Sequence, residues 1–226
     1  VKGITELHKD QDSILLRVGS GMVWDDFVAY AVENNYYGIE NLSLIPGQVG
    51  ASAVQNIGAY GVEVSQLIEA VHARHYRTGE SRVFRNEDCR YAYRYSIFKE
   101  PDYAEWAIMY VDYRLRLRPS FSLEYKALAK VLEEERITPT LQSIRDTVIR
   151  IRNSKLPDPA TIGNAGSFFV NPVVSAEKFN TLQTEYPSIP SYPQPDGSVK
   201  VPAGWLIEQC GYKGHRSGAV GVYEHQ

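Results

Sequence analysis

Small side chains dominate residues 46–61, PGQVGASAVQNIGAYG, in which glycine occupies positions 47, 50, 58 and 61. A backbone with so few side chains can turn sharply and allows close approach to its N–H groups. Two interpretations follow, and composition gives them similar weight. The segment is either a tightly packed turn cluster between elements, or a backbone surface that binds a pyrophosphate or the polar edge of a flat ring.

The absence of common nucleotide-binding motifs and the small net charge argue against several classes of function. No GxGxxG follows a strand, and no GxxxxGK[ST] occurs in the chain. The net charge of −3 gives no general reason to bind nucleic acid or an anionic membrane, and the apolar stretches are too short to span a bilayer. Cys89 and Cys210 have neither metal spacing nor a disulfide framework, so we expect reduced thiols in the cytoplasm. The His72/His75 pair could suggest a metal, but a strand or surface position is favoured and no metal is predicted.

Hydrophobic periodicity predicts an α+β protein of two domains. It indicates strands in SILLRVGSG and AEWAIMYVDYRLRLRP, a helix in VWDDFVAYAVENN, and a hairpin around TGE between residues 67 and 89. A further helix over Ser143–Asn153 ends at KLPDP, which makes a rigid connection and marks the boundary between domains 1–156 and 157–226. Beyond it, AEKFNTLQTEYP and AGWLIEQCG predict short helices, with a hairpin at DGS between them.

The ends of the sequence do not look like natural tails. The chain starts as if within a sheet and stops in an apolar alternating run, GAVGVYEHQ. We therefore expect a fragment of a longer chain.

One ten-residue stretch of the second domain, GNAGSFFVNP, places the Ser167 hydroxyl between a small-residue turn and two phenylalanines. A structural turn needs the glycines alone. A catalytic hydroxyl needs close ligand approach and the apolar Phe168 and Phe169 to exclude water. These ten residues alone favour the structural turn.

Five motifs in order resemble the UDP-N-acetylenolpyruvoylglucosamine reductase family over essentially the whole chain. They are NLSLIPGQVGASAVQNIGAYGVE, CRYAYRYSIFK, KLPDP, GNAGSFFVNPVVS and YPQPDGSVKVPAGWLIEQCGYKG. The resemblance implies the second subdomain of a two-part, vanillyl-alcohol-oxidase-like FAD-binding fold, followed by a smaller α+β substrate-binding domain that is incomplete here. It corresponds to the form of the family with a tyrosine-bearing loop over the substrate.

The reaction implied is part of peptidoglycan synthesis and so of cell-wall biogenesis, cell shape and cell division. NADPH reduces FAD, and the reduced FAD delivers hydride to the enolpyruvyl group of UDP-N-acetylglucosamine enolpyruvate, giving UDP-N-acetylmuramate. The resemblance makes Ser167 the proton donor and Arg94 the residue that holds the substrate carboxylate. It also implies a monomer when full length.

The resemblance assigns two further groups of residues. The cofactor-binding group is Pro46, Gly47, Gly50, Ala51, Ser52, Gln55, Asn56, Ile57 and Gly58. The substrate-binding group is Tyr93, Tyr125, Lys155, Asn171, Tyr192, Lys213 and Gln226. Taken singly, without the family, each of the substrate residues is more often an ordinary surface residue, and Arg94 a surface strand arginine.

The sequence also departs from the family pattern. Tyr95 stands where the family usually has an acidic residue after the arginine. The glycine-serine phosphate loop of the N-terminal flavin subdomain and the late catalytic glutamate have no counterpart in the chain. We therefore expect a protein made from residues 1–226 alone to be inactive. Two alternatives stay open: another FAD oxidase or dehydrogenase of the same fold, or a non-catalytic UDP-sugar-binding fragment.

Overall fold

A computed structural model describes residues 1–158 and 161–225. The chain forms two compact units, Val1–Arg152 and Asn153–Gln226. The division between them lies a few residues before the predicted boundary at 156/157.

Both units combine helices and strands. The first unit contains β1 (Ile4–Lys9), β2 (Ser13–Gly19), α1 (Trp24–Glu33), α2 (Val49–Gln55), β3 (Gly58–Ala59), β4 (Val62–Glu63), β5 (Ile68–His75), β6 (Ser81–Arg85), β7 (Trp106–Arg116), α3 (Lys126–Glu134) and most of α4 (Leu141–Lys155). The second contains β8 (Val173–Val174), α5 (Ala176–Glu185), β9 (Tyr192–Pro193), β10 (Val199–Lys200), α6 (Ala203–Gln209), β11 (Arg216–Ser217) and β12 (Val220–Gly221).

The main sheet of the first unit is antiparallel, in the order β1-β2-β7-β5-β6. Strand β2 alternates as the sequence predicts, with Ile14, Leu16 and Val18 buried on one face. Its register places Leu16 opposite Tyr113 of β7, the central strand. Trp24 of α1 packs edge-on against the Tyr113 ring, with centroids 6.0 Å apart. The core therefore lies between this sheet and α1 and α2, which belong to the same buried cluster.

A second apolar cluster joins α3 to α4. Leu128 and Leu132 of α3 pack with Ile144, Val148 and Ile151 of α4. These α4 residues recur at helical spacing, which is why the sequence predicts that helix. Helix α3 was not among the predicted elements, although its apolar residues lie on one face.

Most of the predicted elements are confirmed. The strands in SILLRVG and WAIMYVDYRLR, the helix at Trp24–Glu33, the hairpin β5–β6 and the helix α4 form where the patterns place them. His72 and His75 both lie on β5, in accord with the strand interpretation.

One expectation about the small-residue segment is corrected. The turn-cluster interpretation does not describe residues 49–55, which form the helix α2. The helix was overlooked because glycine lowers intrinsic helix propensity. Here tertiary packing outweighs that preference, and Val49 and Ala53 are fully buried.

The second unit has a small core of its own. Phe179, Ile189 and Val201 are its buried apolar residues, and Val174, Leu182, Val199, Trp205 and Leu206 pack around them. The predicted helices form as α5 and α6, and the DGS turn joins β9 to β10. Among the described residues, none of the helices has the length and apolarity that a membrane crossing requires.

Candidate active site

A cavity of about 150 Å³ opens beside α2 in the first unit. Its lining contains five of the predicted cofactor residues together with Trp24 and Gln48: Pro46, Ala51, Ser52, Gln55 and Ile57. The fold therefore collects this part of the small-residue segment around one cavity. Sequence reasoning missed Trp24 and Gln48, because a residue's face on a short helix or loop depends on how that element docks.

The first turn of α2 is bonded to the loop after β2. The Val49 N–H donates to the Met22 carbonyl at 3.0 Å, and the Gly50 N–H donates to the Ser20 carbonyl at 2.9 Å. A Cβ on Gly50 would lie only 2.9 Å from the Ser20 Cβ. Gly50 is thus needed for close packing of α2, and its N–H is used in a backbone hydrogen bond within the protein. Close packing thus explains the glycine at position 50, with no need for a bound ligand.

Ser52 is buried, and its hydroxyl also points to the interior. Its Oγ donates to the Val49 carbonyl at 2.7 Å and lies 2.8 Å from the Tyr113 hydroxyl. Burial raises the pKa of Tyr113, so this phenol stays protonated. The Ser52 side chain therefore anchors α2 to β7.

Asn56, which ends α2, is fully buried and has a left-handed backbone with φ 44°. Its Nδ2 donates to Glu63 Oε2 at 3.0 Å and to the Ala92 carbonyl at 2.9 Å, while its Oδ1 accepts from the Ser65 N–H at 3.1 Å. Asparagine tolerates this backbone better than most residues. Its side chain ties the loop that carries Arg94 to the small-residue segment.

Arg94 lies in a tight turn with φ 55°, not on a surface strand. Its Nη2 donates to the Gly58 carbonyl at 2.6 Å and its Nη1 to the Asn56 carbonyl at 3.3 Å. A Cβ on Gly58 would come within 3.0 Å of Nη1, so glycine makes room for the guanidinium. The Arg94 Cζ lies 5.1 Å from the Tyr93 ring centroid. The structure thus brings Arg94, Tyr93, Asn56 and Gly58 together, although about 36 residues separate the two segments.

Neighbours of Arg94 complete this turn. The Lys99 amine donates to the Arg94 carbonyl at 2.7 Å, and burial lowers its pKa. Tyr95, which replaces the acidic residue usual in the family, donates its hydroxyl to Glu100. Glu100 also accepts from Arg90 at 2.6 Å. A carboxylate is therefore present in this network, supplied by Glu100, six residues after Arg94, instead of by the residue that directly follows Arg94.

Tyr125 precedes α3 and stacks edge-on against Tyr60, with ring centroids 5.3 Å apart. It is the one predicted substrate residue of the first unit outside the Arg94 turn.

The other predicted substrate residues and Ser167 belong to the second unit. All residues from 161 to 170 are exposed, and Ser167 follows Gly166, whose φ is +66°. Phe168 and Phe169 contact each other edge-on but are 83% and 61% exposed. The expected dry apolar wall is therefore not formed by these two rings within their own unit.

The remaining positions have identifiable local roles. Asn171 Oδ1 accepts from the Ala203 N–H at 2.9 Å and so caps α6. Tyr192 lies in β9 opposite Lys200, half exposed. The Lys213 amine donates to Glu208 at 3.0 Å, and Lys155 is the exposed last residue of α4. Gln226 lies outside the described residues.

Comparisons with known proteins define the class first. Residues 2–79 match the model of an FAD binding domain, and residues 158–226 match that of the UDP-N-acetylenolpyruvoylglucosamine reductase C-terminal domain. The α+β prediction, with an FAD-binding fold followed by a smaller domain, is thus confirmed.

Individual relatives then identify the family. The chain is 99% identical over 226 residues to the UDP-N-acetylenolpyruvoylglucosamine reductase of Porphyromonas gingivalis, covering all of this chain and 67% of that protein. It is 48% identical to the Bacteroides fragilis enzyme of the same name, covering 68% of it. The chain belongs to the UDP-N-acetylenolpyruvoylglucosamine reductase family, and the resemblance in its motifs is confirmed.

A solved structure supports the fold. The crystal structure of UDP-N-acetylenolpyruvylglucosamine reductase (MurB) from Thermus caldophilus superposes with a TM-score of 0.58 at 24% identity. The match covers 92% of this chain and 59% of the Thermus chain. The chain therefore spans about two thirds of the length of its relatives, and somewhat less of this neighbour.

Proposed function

We propose that the chain serves in the NADPH-dependent reduction of the enolpyruvyl group of UDP-N-acetylglucosamine enolpyruvate to a D-lactyl group, through FAD, giving the peptidoglycan precursor UDP-N-acetylmuramate. One observation carries this proposal beyond the family match. The Arg94 guanidinium is held against the carbonyls of Asn56 and Gly58, in the segment that also lines the cavity. The guanidinium that we assign to the substrate carboxylate thus contacts the segment that we assign to the flavin.

The residues around the cavity fit one edge of a flavin ring. Pro46, Ala51 and Ile57 supply apolar surface, and Gln48 and Gln55 supply amides that can bond its polar edge. A volume of about 150 Å³ suits part of the ring system and not the whole cofactor. Gly47 has a φ of +121°, and a Cβ added there would have no atom within 4 Å, so the rim stays open to a flat ligand. FAD, when bound, accepts hydride from NADPH and passes it to the substrate.

Arg94 has the role of binding and polarising the substrate carboxylate. Its guanidinium has five N–H donors, which is more than its two backbone contacts require. Hydride transfer to the vinylic CH₂ leaves negative charge on the carbon next to the carboxylate, and a fixed cation there stabilises that charge. The bonds to Asn56 and Gly58 hold the planar fork in place before substrate arrives.

Ser167 has the role of delivering a proton to that carbon. A hydroxyl is a weak acid in water, but a carbanion-like carbon is a very strong base, so contact transfer is chemically reasonable where water is excluded. The surrounding Gly163 and Gly166 leave open space around the segment, which supports close ligand approach. Asn171, Tyr192, Lys155, Lys213, Tyr125 and Gln226 are proposed to contact the UDP-sugar.

The wider assignments rest on the family. We propose residues 1–156 as the second half of the flavin domain and 157–226 as the substrate-binding domain. From the family we also propose a cytoplasmic location, a monomeric full-length form, and roles in cell shape and division.

The test uses the FAD-loaded holoenzyme with NADPH, with and without the enolpyruvyl UDP-sugar. We expect NADPH oxidation that is coupled, mole for mole, to UDP-N-acetylmuramate formation. Oxygen consumption that needs neither NADPH nor this substrate would instead show an oxidase. Binding of the UDP-sugar without NADPH oxidation would show a binding module.

A further inference from the structure

Leu44 has an unusual backbone conformation just before the segment assigned to the flavin. Its φ is +56°, in the left-handed region that branched side chains rarely occupy. Pro46, two residues later, lines the cavity. A strained residue persists only where its surroundings hold it, so the contacts of Leu44 are informative.

Both backbone groups of Leu44 are held by charged side chains. The Leu44 N–H donates to Asp25 Oδ1 at 2.6 Å, and its carbonyl accepts from Arg152 Nε at 3.1 Å. Asp25 in turn accepts two bonds from Arg145, at 2.7 and 2.8 Å. We call Asp25, Arg145 and Arg152 the Leu44 clamp.

The clamp joins elements that are distant in sequence. Asp25 lies in the first turn of α1, while Arg145 and Arg152 lie two turns apart on the same face of α4. The Asp25–Arg145 pair is largely withdrawn from water, with side chains 24% and 12% exposed. Burial by itself would raise the pKa of the Asp25 carboxyl, but the bonds from Arg145 and Leu44 outweigh it and lower that pKa. Asp25 is therefore a carboxylate at neutral pH.

Arg152 also reaches the far end of the segment. It hydrogen-bonds the hydroxyl of Tyr60, which lies two residues after Gly58 and has φ +48°. Residues 44 and 60 flank the predicted flavin-binding stretch, and both are left-handed. One guanidinium thus connects the two ends of that stretch.

We propose that Asp25 and Arg152 are positioning residues for the cofactor, which hold Leu44 in its left-handed conformation and so set the Pro46–Gln48 wall of the cavity. The inference rests on the proposed function, because FAD is taken as the occupant of the cavity. Neither side chain needs to touch the flavin for this role.

The test is a double-variant cycle on the FAD-loaded full chain, read by the dissociation constant of FAD from flavin fluorescence and by the unfolding midpoint in urea. Asp25→Asn removes the charge from the bond to Leu44, and we expect FAD affinity to fall about tenfold. Leu44→Gly adopts positive φ without strain. Adding it to Asp25→Asn should restore FAD affinity to within about threefold of the parent.

Arg152→Lys tests the other contact of the clamp with Leu44, again through FAD affinity. It keeps the charge but loses the Nε donor to Leu44, so FAD affinity should fall and Leu44→Gly should restore it. Asp12→Asn is the matched control, since it breaks the exposed Arg118–Asp12 pair, whose side chains are 71% and 73% exposed. That variant should change neither readout.

Two outcomes would overturn the inference alone. One is an Asp25→Asn protein with a lower urea midpoint and unchanged FAD affinity, which would make the clamp purely structural. The other is weakened affinity that Leu44→Gly does not restore, which would exclude backbone strain as the cause. A parent protein that binds no FAD would instead overturn the proposed function, and the inference with it.

Discussion

The turn that carries Arg94 and the segment that carries Ser167 are constructed in opposite ways. The Arg94 turn is held by residues distant in sequence, since Asn56 bonds the Ala92 carbonyl and Ser96 bonds the Val54 carbonyl at 2.7 Å. Next to Ser167, the Gly166 N–H donates to Asn164 Oδ1 at 3.1 Å, a contact between near neighbours in sequence. The Arg94 guanidinium, which we propose binds the substrate carboxylate, is therefore positioned by contacts within its own unit. Ser167, the proposed proton donor, lies on an exposed segment.

The largest effect on activity should come from substitution of Ser167, on the exposed segment. We expect Ser167→Ala to slow the oxidative half-reaction by about 10²–10⁴-fold, because only this half needs the proton. Flavin reduction by NADPH should stay nearly unchanged, as should the urea midpoint, since Ser167 is exposed. Stopped-flow measurement of the two half-reactions separates these effects.

Two further variants sharpen this test. Ser167→Cys should keep part of the activity, because a thiol can still donate a proton, while Ser217→Ala, on an exposed strand, should have no effect. Equal slowing of both half-reactions in Ser167→Ala would mean that Ser167 has a structural role.

Substitution of Asn56, which anchors the Arg94 turn, should mainly lower the free energy of unfolding. Asn56→Ala leaves Ala92, Ser65 and Glu63 without their amide partner and places alanine at positive φ, so we expect a loss of about 3 kcal/mol or more in the free energy of unfolding. Urea denaturation gives this number. Asn35→Ala is the control, because Asn35 is exposed with φ 59°. It should cost only about 1 kcal/mol, and similar losses in both variants would refute the anchoring role of the Asn56 amide.

Arg94→Lys should lower catalytic efficiency, but by less than Ser167→Ala slows the oxidative half-reaction. Lysine keeps the charge but loses the planar fork, so we expect kcat/KM to fall about 10–100-fold, with contributions from both KM and kcat. FAD content should stay constant, because the bonds from the Asn56 side chain to Glu63, Ala92 and Ser65 do not involve Arg94. Arg118→Lys, which alters an exposed pair with Asp12 away from this turn, should resemble the parent. Parent-like kinetics for Arg94→Lys would place the carboxylate elsewhere.

The smallest effect is expected at Asn171, the best-anchored predicted residue of the second unit. Asn171→Ala removes the cap on α6, which should cost about 1 kcal/mol of stability. If Asn171 also contacts the UDP-sugar, the substrate KM should rise more than this stability loss explains. Thermal unfolding with and without the UDP-sugar separates the two contributions.

Much of the first unit could be predicted from periodicity. The alternation in β2 and the helical spacing of α4 are local patterns, and each element formed where its pattern lies. The helix α2 could not be predicted in this way, because its stability comes from packing Val49 and Ala53 into a core that glycine content does not reveal.

The candidate site shows the same limit. The family motifs identify Arg94 and residues 46–58 as separate segments, but nothing local shows that Gly58 leaves space for the Arg94 guanidinium. Likewise, no local pattern distinguishes Asp25 as a partner of Leu44 from its neighbour Asp26, since both suit a helix first turn.

By itself, the sequence determined the fold class, the family, and the residue types available for hydride-linked chemistry, because motifs and periodicity are properties of neighbouring residues. Only the tertiary structure decided that Ser52 and Asn56 serve the interior, that Arg94 adjoins the small-residue segment, and that Leu44 is held from two helices. These facts depend largely on contacts between residues that are 19 to 120 positions apart, as for Leu44 with Asp25 and Arg145 with Asp25. Such contacts follow from how packed elements bury their apolar faces, which no single stretch of sequence specifies.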